Sequence, residues 1–249
     1  MHFILQGFYE AFRLLFSGDA VTYQIAFRSL EVSVSALAIS LVIGVPLGAQ
    51  IALNRFPAKR LVVALINTGM GIPPVVIGLL VALFLWRSGP LGALDWIYTV
   101  RAMIIAQVLI ALPIVTGLTL AALQQLDAGF RLQIQALGAG RWRTFGLLLR
   151  EIRIPLMGAV MAAFGGVISE VGAVLIVGGN IRGQTQVLTT GIVQYVDSGV
   201  FGTAMALSAI LIFLAFTTNY AMTIIQQHGA GSGEGTPTLL GRRWNVTAR

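Results

Sequence analysis

Glu170 is the one carboxylate that the sequence sets well inside a long apolar stretch. An ionised carboxylate at such a depth costs at least ~2.5 kcal/mol in a bilayer, and it normally faces a bundle interior or water. That suits a gate, or a hydrogen-bonded packing residue shared between helices. Charge repulsion argues against its binding an anion directly, while a proton-coupling role stays open. Gly165, Gly166 and Gly172 around it favour close helix contact. Ser169, Asn180, Thr189, Thr190, Thr116 and Thr119 are neutral donors that could line a polar route between helices, and Arg182 could attract negative charge or a partner protein at the outer face. Each of those hydroxyls could equally bond its own helix carbonyl. Pro73-Pro74 sits inside another apolar stretch, with Gly69 and Gly71 adding freedom. It reads as a bend that opens a path or as a static kink. Pro46 and Pro113 read as further kinks.

Several chemistries are missing. With no cysteine, thiolate catalysis, disulfides and cysteine-ligated metals are excluded. The single lysine, Lys59, lies in Ala58-Lys59-Arg60, so no Gly-Lys-Ser/Thr phosphate loop exists and the chain supplies no ATPase site of that kind. His2 and His228 lie near the two ends, which argues against an intramembrane histidine site. The chain lacks a His/Asp/Glu metal cluster and a clear nucleophile–base pair, and this disfavours a membrane-embedded enzyme.

The elements that must hold the remaining candidates are membrane helices. Of 249 residues, 57% are hydrophobic and 10% charged, where a soluble domain has roughly 25% charged. A spanning helix needs about 20 mostly apolar residues. Val32–Asn54, Leu61–Trp86, Ala102–Leu126 and Phe201–Ile225 carry no charge, and Ile154–Ile181 carries only Glu170. The expected fold class is all-α, a polytopic membrane bundle with about five transmembrane helices. Strand-length alternation is absent, which disfavours a β-barrel. Met1–Phe16 is not a secretory signal, since Glu10 and Arg13 interrupt it. It reads as a short interfacial helix or as a segment packed on the bundle. Residues 1–228 read as the transmembrane domain, and 229–249 as a flexible cytoplasmic tail, glycine-rich at its start.

The net charge of +7 comes from 16 basic and 9 acidic side chains. The basic residues lie between apolar blocks, so they report topology and not nucleic acid. One side would hold Arg55, Lys59, Arg60, Arg131, Arg141, Arg143, Arg150, Arg153, Arg242, Arg243 and Arg249; the other would hold Arg13, Arg28, Arg87, Arg101 and Arg182. By the positive-inside rule the first side is cytoplasmic, with the N-terminus outside and the C-terminus inside. On that side the Asn245-Val246-Thr247 triplet carries no glycosylation meaning.

The longest cytoplasmic connection runs from Asp127 to Arg153. It reads as two helical stretches, Phe130–Leu137 and Trp142–Ile152, joined by Gly138-Ala139-Gly140, where another backbone can approach closely. Leu137-Gly138-Ala139-Gly140-Arg141-Trp142-Arg143-Thr144-Phe145 resembles the cytoplasmic loop of ABC importer permeases. Gly138 matches the family glycine. The family's Glu-Ala-Ala triplet falls on Leu132, Gln133 and Ile134 and is lost. The closing element, Ile152-Arg153-Ile154-Pro155, comes four residues late, about one helical turn. From Phe27 onward most of the chain follows the resemblance. Gly69-Met70-Gly71-Ile72-Pro73-Pro74-Val75-Val76-Ile77-Gly78, Trp86-Arg87-Ser88-Gly89-Pro90-Leu91-Gly92 and Ile168-Ser169-Glu170-Val171-Gly172-Ala173 are similar to the permeases of the molybdate, tungstate and sulfate group. With Leu149–Pro155, Gly178-Gly179-Asn180 and Val187-Leu188-Thr189-Thr190, the chain looks most like the tungstate permeases.

This resemblance implies an ABC importer permease of type I fold, multi-pass in the cell inner membrane, carrying a tetrahedral oxyanion with tungstate first and molybdate or sulfate as alternatives. The chain itself would bind no cofactor. ATP and Mg would be used by two cytoplasmic ATPase subunits docked on Gln135, Ala136, Leu137, Gly138, Ala139, Gly140, Arg141, Trp142, Arg143, Thr144 and Phe145. A second copy of the chain would complete the path, and an extracytoplasmic binding protein would deliver the anion. The path or gate candidates are Pro73, Pro74, Ser169, Glu170, Asn180, Arg182, Thr189 and Thr190. A secondary transporter is the rival class, disfavoured by one buried acid and no evident repeat.

Overall fold

The computed structural model describes residues 7–10, 12–13, 17 and 19–231. Among them there is no strand. The helices are α1 (Ala20–Leu53), α2 (Lys59–Gly71), α3 (Pro74–Leu85), α4 (Val100–Gln124), α5 (Ala128–Ala136), α6 (Arg141–Glu151), α7 (Arg153–Ile168), α8 (Gly172–Gly178), α9 (Leu188–Asp197) and α10 (Phe201–Gly231). Three helices, α1, α4 and α10, are long and apolar enough to cross a membrane alone. Two bent pairs raise the number to as many as five: α2 with α3, bent by 101°, and α6 with α7, bent by 73°.

Several expected boundaries move. The first span begins at Ala20 and not at Val32, because Arg28 and Glu31 pair on one helix face at 3.1 Å and so do not end it. The second is two short helices and not one kinked helix. Ile72 and Pro73 take extended backbone (ψ 129° and 126°) and Pro74 starts α3 at a position where its missing N–H costs nothing. Pro46 and Pro113, by contrast, sit inside unbroken helices. The stretch expected as a fourth span is interrupted at 169–171, so Glu170 lies between α7 and α8 and not within a helix. α10 runs to Gly231, three residues into the stretch expected as tail; residues 232–249, and most of the expected N-terminal helix, lie outside the described residues. Of that N-terminal stretch, Gly7 backs onto Met205 and Glu10 onto Gly202, so the segment packs on α10.

α4 is the hub, packed against α1, α2, α3, α7 and α8. Its contact with α1 is close because small residues line it. A Cβ at Gly44 would stand 2.9 Å from Val115 Cγ1, and one at Gly48 would stand 2.6 Å from the Thr116 carbonyl oxygen. Ser40, Gly44 and Gly48 recur every four residues on that face, the small-xxx-small pattern that lets membrane helices approach. Four apolar clusters follow the bundle. Val32, Leu85, Met103 and Val177 anchor one; Leu37, Val115, Phe164 and Val167 the next; Ala49, Leu123, Ile134, Leu148 and Ile152 a third; Ile25, Leu188, Leu207 and Ile210 the last. The outer surface is apolar too, with Phe27, Val42, Ile212, Phe213 and Phe216 exposed, as a lipid solvent allows.

Candidate functional site

The two helix breaks meet. A Cβ on Gly172 would overlap Val75, and one on Gly78 would stand 2.5 Å from Ala173 Cα. The Pro73–Pro74 bend therefore lies directly against the start of α8. Backbone groups freed by a break inside a membrane need partners, and named side chains supply them. Glu170 Oε1 accepts the Ala173 N–H at 2.8 Å, capping α8. The Thr189 hydroxyl donates to the Glu170 carbonyl at 2.8 Å. Gln107, 3% exposed on α4, donates its amide to the Val167 carbonyl at 2.8 Å. The Glu170 side chain is thus a local helix cap, half-buried, while its carbonyl takes the bond from α9. Ser169 bonds its own helix, donating to the Gly165 carbonyl at 2.7 Å.

Asn180 and Thr190 belong to a second knot. Gly179, at φ 68°, ends α8 in the left-handed region, and Asn180 follows at φ 50°. The Asn180 amide donates to Gln194 Oε1 at 3.0 Å and the Thr190 carbonyl at 3.4 Å. Gln186 donates to the same Gln194 oxygen. The Thr190 hydroxyl accepts the Val187 N–H at 3.1 Å and closes the start of α9. Ser29 on α1 accepts the Leu188 N–H at 2.7 Å, tying that start to the bundle.

Arg182 stands apart, exposed beside a cavity of about 190 Å³ lined also by Gln24, Arg28, Gln184 and Gln186. Nearby, Asp19 caps α1. The Thr22 hydroxyl and the Thr22 N–H (2.9 Å) hold its carboxyl below the usual carboxylate value, slight burial opposes them, and Arg182 adds a smaller downward pull. Thr116 and Thr119 are buried in the α1–α4 contact, away from these groups. Among the described residues no group of three or more His, Cys, Asp or Glu could hold a metal.

At the other end, α5 and α6 form a hairpin. Gly138 takes φ 72°, which a side chain would strain. The Ala139 N–H donates to the Ile134 carbonyl (3.3 Å), and the Thr144 hydroxyl to the Ala139 carbonyl (3.2 Å), closing the turn. Ile134, Leu148 and Ile152 are buried against Ala49, Ala122 and Leu123 at the ends of α1 and α4. Ile134 stands where the family triplet would put a small residue, and here it anchors the hairpin. Beyond the anchor, Leu137 is 86% exposed and Trp142 88%. Ala136, Gly138, Gly140, Arg141 and Arg143 are also exposed, while Thr144, Phe145 and Ala139 are half-buried. Gln135 lies on α5 with its side chain outside the described residues.

The geometry brings Pro73, Pro74, Glu170 and Thr189 together, sets Thr190 beside them on α9 with Asn180 bonded to it from the α8–α9 link, and leaves Arg182 apart. Sequence reasoning passed over Gln107, Gln186 and Gln194. Gln107 carried a signal, since an amide in a span must find a partner.

Apolar spans with paired breaks and a docked hairpin at one end define an all-α, multi-pass membrane bundle. Residues 40–228 match the family model described as "Binding-protein-dependent transport system inner membrane component", and the chain belongs to that family. It is a transport subunit and not an enzyme. A tungstate uptake system permease protein, TupB, of Peptoclostridium acidaminophilum is 39% identical over 91% of this chain and all of that protein. A probable anion ABC transporter permease protein of Haloferax volcanii is 41% identical over 77% of this chain and 84% of its own length. The TupB protein of Campylobacter jejuni is 31% identical over 88% of this chain and 92% of its own. Among solved structures, inward-facing MetNI methionine ABC transporter shares the fold at TM-score 0.71 and 20% identity, over 85% of this chain and 97% of that one.

Proposed function

We propose that this chain is the membrane-spanning subunit of an ABC importer for a tetrahedral oxyanion, with tungstate as the cargo. The tungstate and anion permeases among its relatives favour that cargo over molybdate or sulfate. Two copies form the path, and a binding protein delivers the anion from outside. Two cytoplasmic ATPase subunits, using ATP and Mg, dock on Gln135–Phe145. The paired breaks at Pro73–Pro74 and Glu170 serve as the gate, and the positive-inside rule puts the hairpin and the C-terminus in the cytoplasm and the N-terminus outside.

The observation that carries this reading is the hairpin. Ile134, Leu148 and Ile152 anchor it, yet its turn offers Leu137 and Trp142 to solvent. Bare large apolar side chains beside a glycine turn are typical anchors for a partner's pocket. Trp142→Ala should weaken binding of the ATPase subunit by about thirtyfold, the ~2 kcal/mol of a hot-spot residue. Being exposed, the same change should leave thermal stability within about 0.5 kcal/mol. The wider test is ATP-dependent tungstate uptake into vesicles holding permease, ATPase and binding protein, with molybdate and sulfate as competitors. Uptake with tungstate preferred is the expected result. No ATP-dependent uptake of any of the three would overturn the reading.

A further inference from the structure

Two cavities meet at Arg182. The first, of about 190 Å³, is lined by Gln24, Arg28 and Gln184 besides Arg182. The second, of about 200 Å³, is lined by Glu10, Asp19, Tyr195 and Thr203 besides Arg182. Val21 and Ile25 belong to both walls, so the cavities adjoin. One is basic and the other acidic, with a single arginine between them. The Gln24 amide donates to the Gly183 carbonyl at 3.1 Å and holds the link after α8 against α1. The charged groups keep bonding capacity to spare. Arg28 bonds Glu31 at 3.1 Å through Nη1, and Arg182 makes no hydrogen bond or ion pair among the described residues. Thr22 occupies only Oδ2 of Asp19, which leaves Oδ1 open.

Depth decides what the cavities face. The hairpin packs on Ala49, near the end of α1, whereas these groups stand at its start. Arg28 comes four residues before Val32, where the charge-free run begins, about 6 Å along the helix. The headgroup layer is about 5–7 Å thick on each face of a bilayer, so Arg28 lies within it. Tyr23 and Phe27 are exposed on the neighbouring sector of α1, and aromatic side chains at that level mark the edge of the lipid. Read outward along α1, the order is apolar run, Arg28, Gln24, Asp19. A phospholipid that carries an amine has the same order: acyl chains, phosphate, ammonium.

We propose that the joined cavities hold the headgroup of a zwitterionic phospholipid with a primary ammonium, phosphatidylethanolamine. Its phosphodiester accepts from the Arg28 and Arg182 guanidinium groups, whose planar forks suit phosphate oxygens. Its ammonium, two carbons further out, donates to Asp19 Oδ1 and to the Glu10 carboxylate. The three carboxylates, counting Glu31, outnumber the two arginines, so a purely anionic headgroup is a poorer match than one that brings its own cation. The bound lipid braces the link after α8 and the N-terminal segment against α1.

The test uses the purified full-length chain, stripped of lipid in detergent. Phosphatidylethanolamine, phosphatidylcholine or phosphatidylglycerol with the same acyl chains is added back in mixed micelles. Native mass spectrometry reads the bound lipid, and thermal unfolding reads the stabilisation. Phosphatidylcholine keeps the phosphate but has no N–H to donate, and phosphatidylglycerol has no cation. Phosphatidylethanolamine should therefore bind about tenfold tighter than either, the worth of one charge-assisted hydrogen bond. Arg182→Gln should weaken it by at least about tenfold, and Arg150→Gln, at the hairpin end, should leave it unchanged. Glu10→Gln should narrow the preference over phosphatidylcholine without weakening phosphatidylcholine itself, a pattern that a damaged fold would not give. Equal affinity for the three lipids would overturn the proposal. So would undiminished lipid binding by the Arg182→Gln chain, which would leave Arg182 to a protein partner. Inorganic phosphate alone stabilising the chain as much as the lipid does would make the basic cavity a site for a free anion, and would defeat the proposal as well.

Discussion

Gln107 illustrates how a polar side chain inside a span is held in place. Its amide reaches across from α4 to the Val167 carbonyl, which the α7–α8 break leaves with only a long bond, 3.4 Å, from the Glu170 N–H. Gln107→Leu should cost about 1 kcal/mol, the net worth of one hydrogen bond, since the Val167 carbonyl keeps the Glu170 N–H. Thermal unfolding of the purified permease in detergent measures it, and an unchanged midpoint would remove Gln107 from its role at the break. Asp19 makes a pH-dependent contribution at the start of α1. Its bonds to Thr22 depress its folded-state pKa. The stabilisation is therefore complete above the ordinary carboxylate value of ~3.9 and is lost as pH falls through the lower folded value. Asp19→Ala should cost about 1 kcal/mol near neutrality, and the gap to the parent should close in strong acid. A gap unchanged by acid would contradict the cap. Residue types alone could flag Glu170 as a gate or packing group. They could not say that it caps α8, because the break that needs the cap is held by Thr189 and Gln107, both distant in sequence.

At the scale of elements, length and composition located the apolar stretches but not how each is divided. Charge-free runs set the expected start at Val32, while the Arg28–Glu31 pair lets the helix begin at Ala20. Four of the prolines show that the residue type is not enough. Pro46 and Pro113 are absorbed in long helices, whereas Pro73 with Pro74 turns the chain by 101°. The α5–α6 hairpin was more legible, since both helices and the glycine turn follow from local pattern. The α1–α4 contact rests on absent side chains. Gly48→Leu would drive a side chain into the Thr116 backbone, costing about 1–3 kcal/mol or more. Size-exclusion chromatography and thermal unfolding should show a less stable protein, and full stability would mean that the two helices separate without penalty.

For the whole molecule, the distribution of arginine and lysine carried the orientation reading, which no single contact could carry. Because the chain has no cysteine, the reading is directly testable. Gly140→Cys, in the open hairpin turn, should label only from the cytoplasmic side. Ser198→Cys, exposed between α9 and α10, should label only from the outside. Reversed labelling would invert the assignment of both ends.

The 73° corner between α6 and α7 has a mechanical consequence. Ile152 sits at the corner, buried in the cluster that joins the hairpin to α1 and α4. From it one arm of about 16 Å extends to the hairpin turn and another of about 24 Å to Ser169, at 1.5 Å per residue. Together they form a bell crank pivoted on Ile152. If the pair turns as one piece, an ångström of travel at Gly140 becomes roughly an ångström and a half at Ser169. The linkage multiplies stroke and gives up thrust in the same ratio. It is therefore geared to swing the break through a long arc under a light load, and a shorter α6 would raise that gearing.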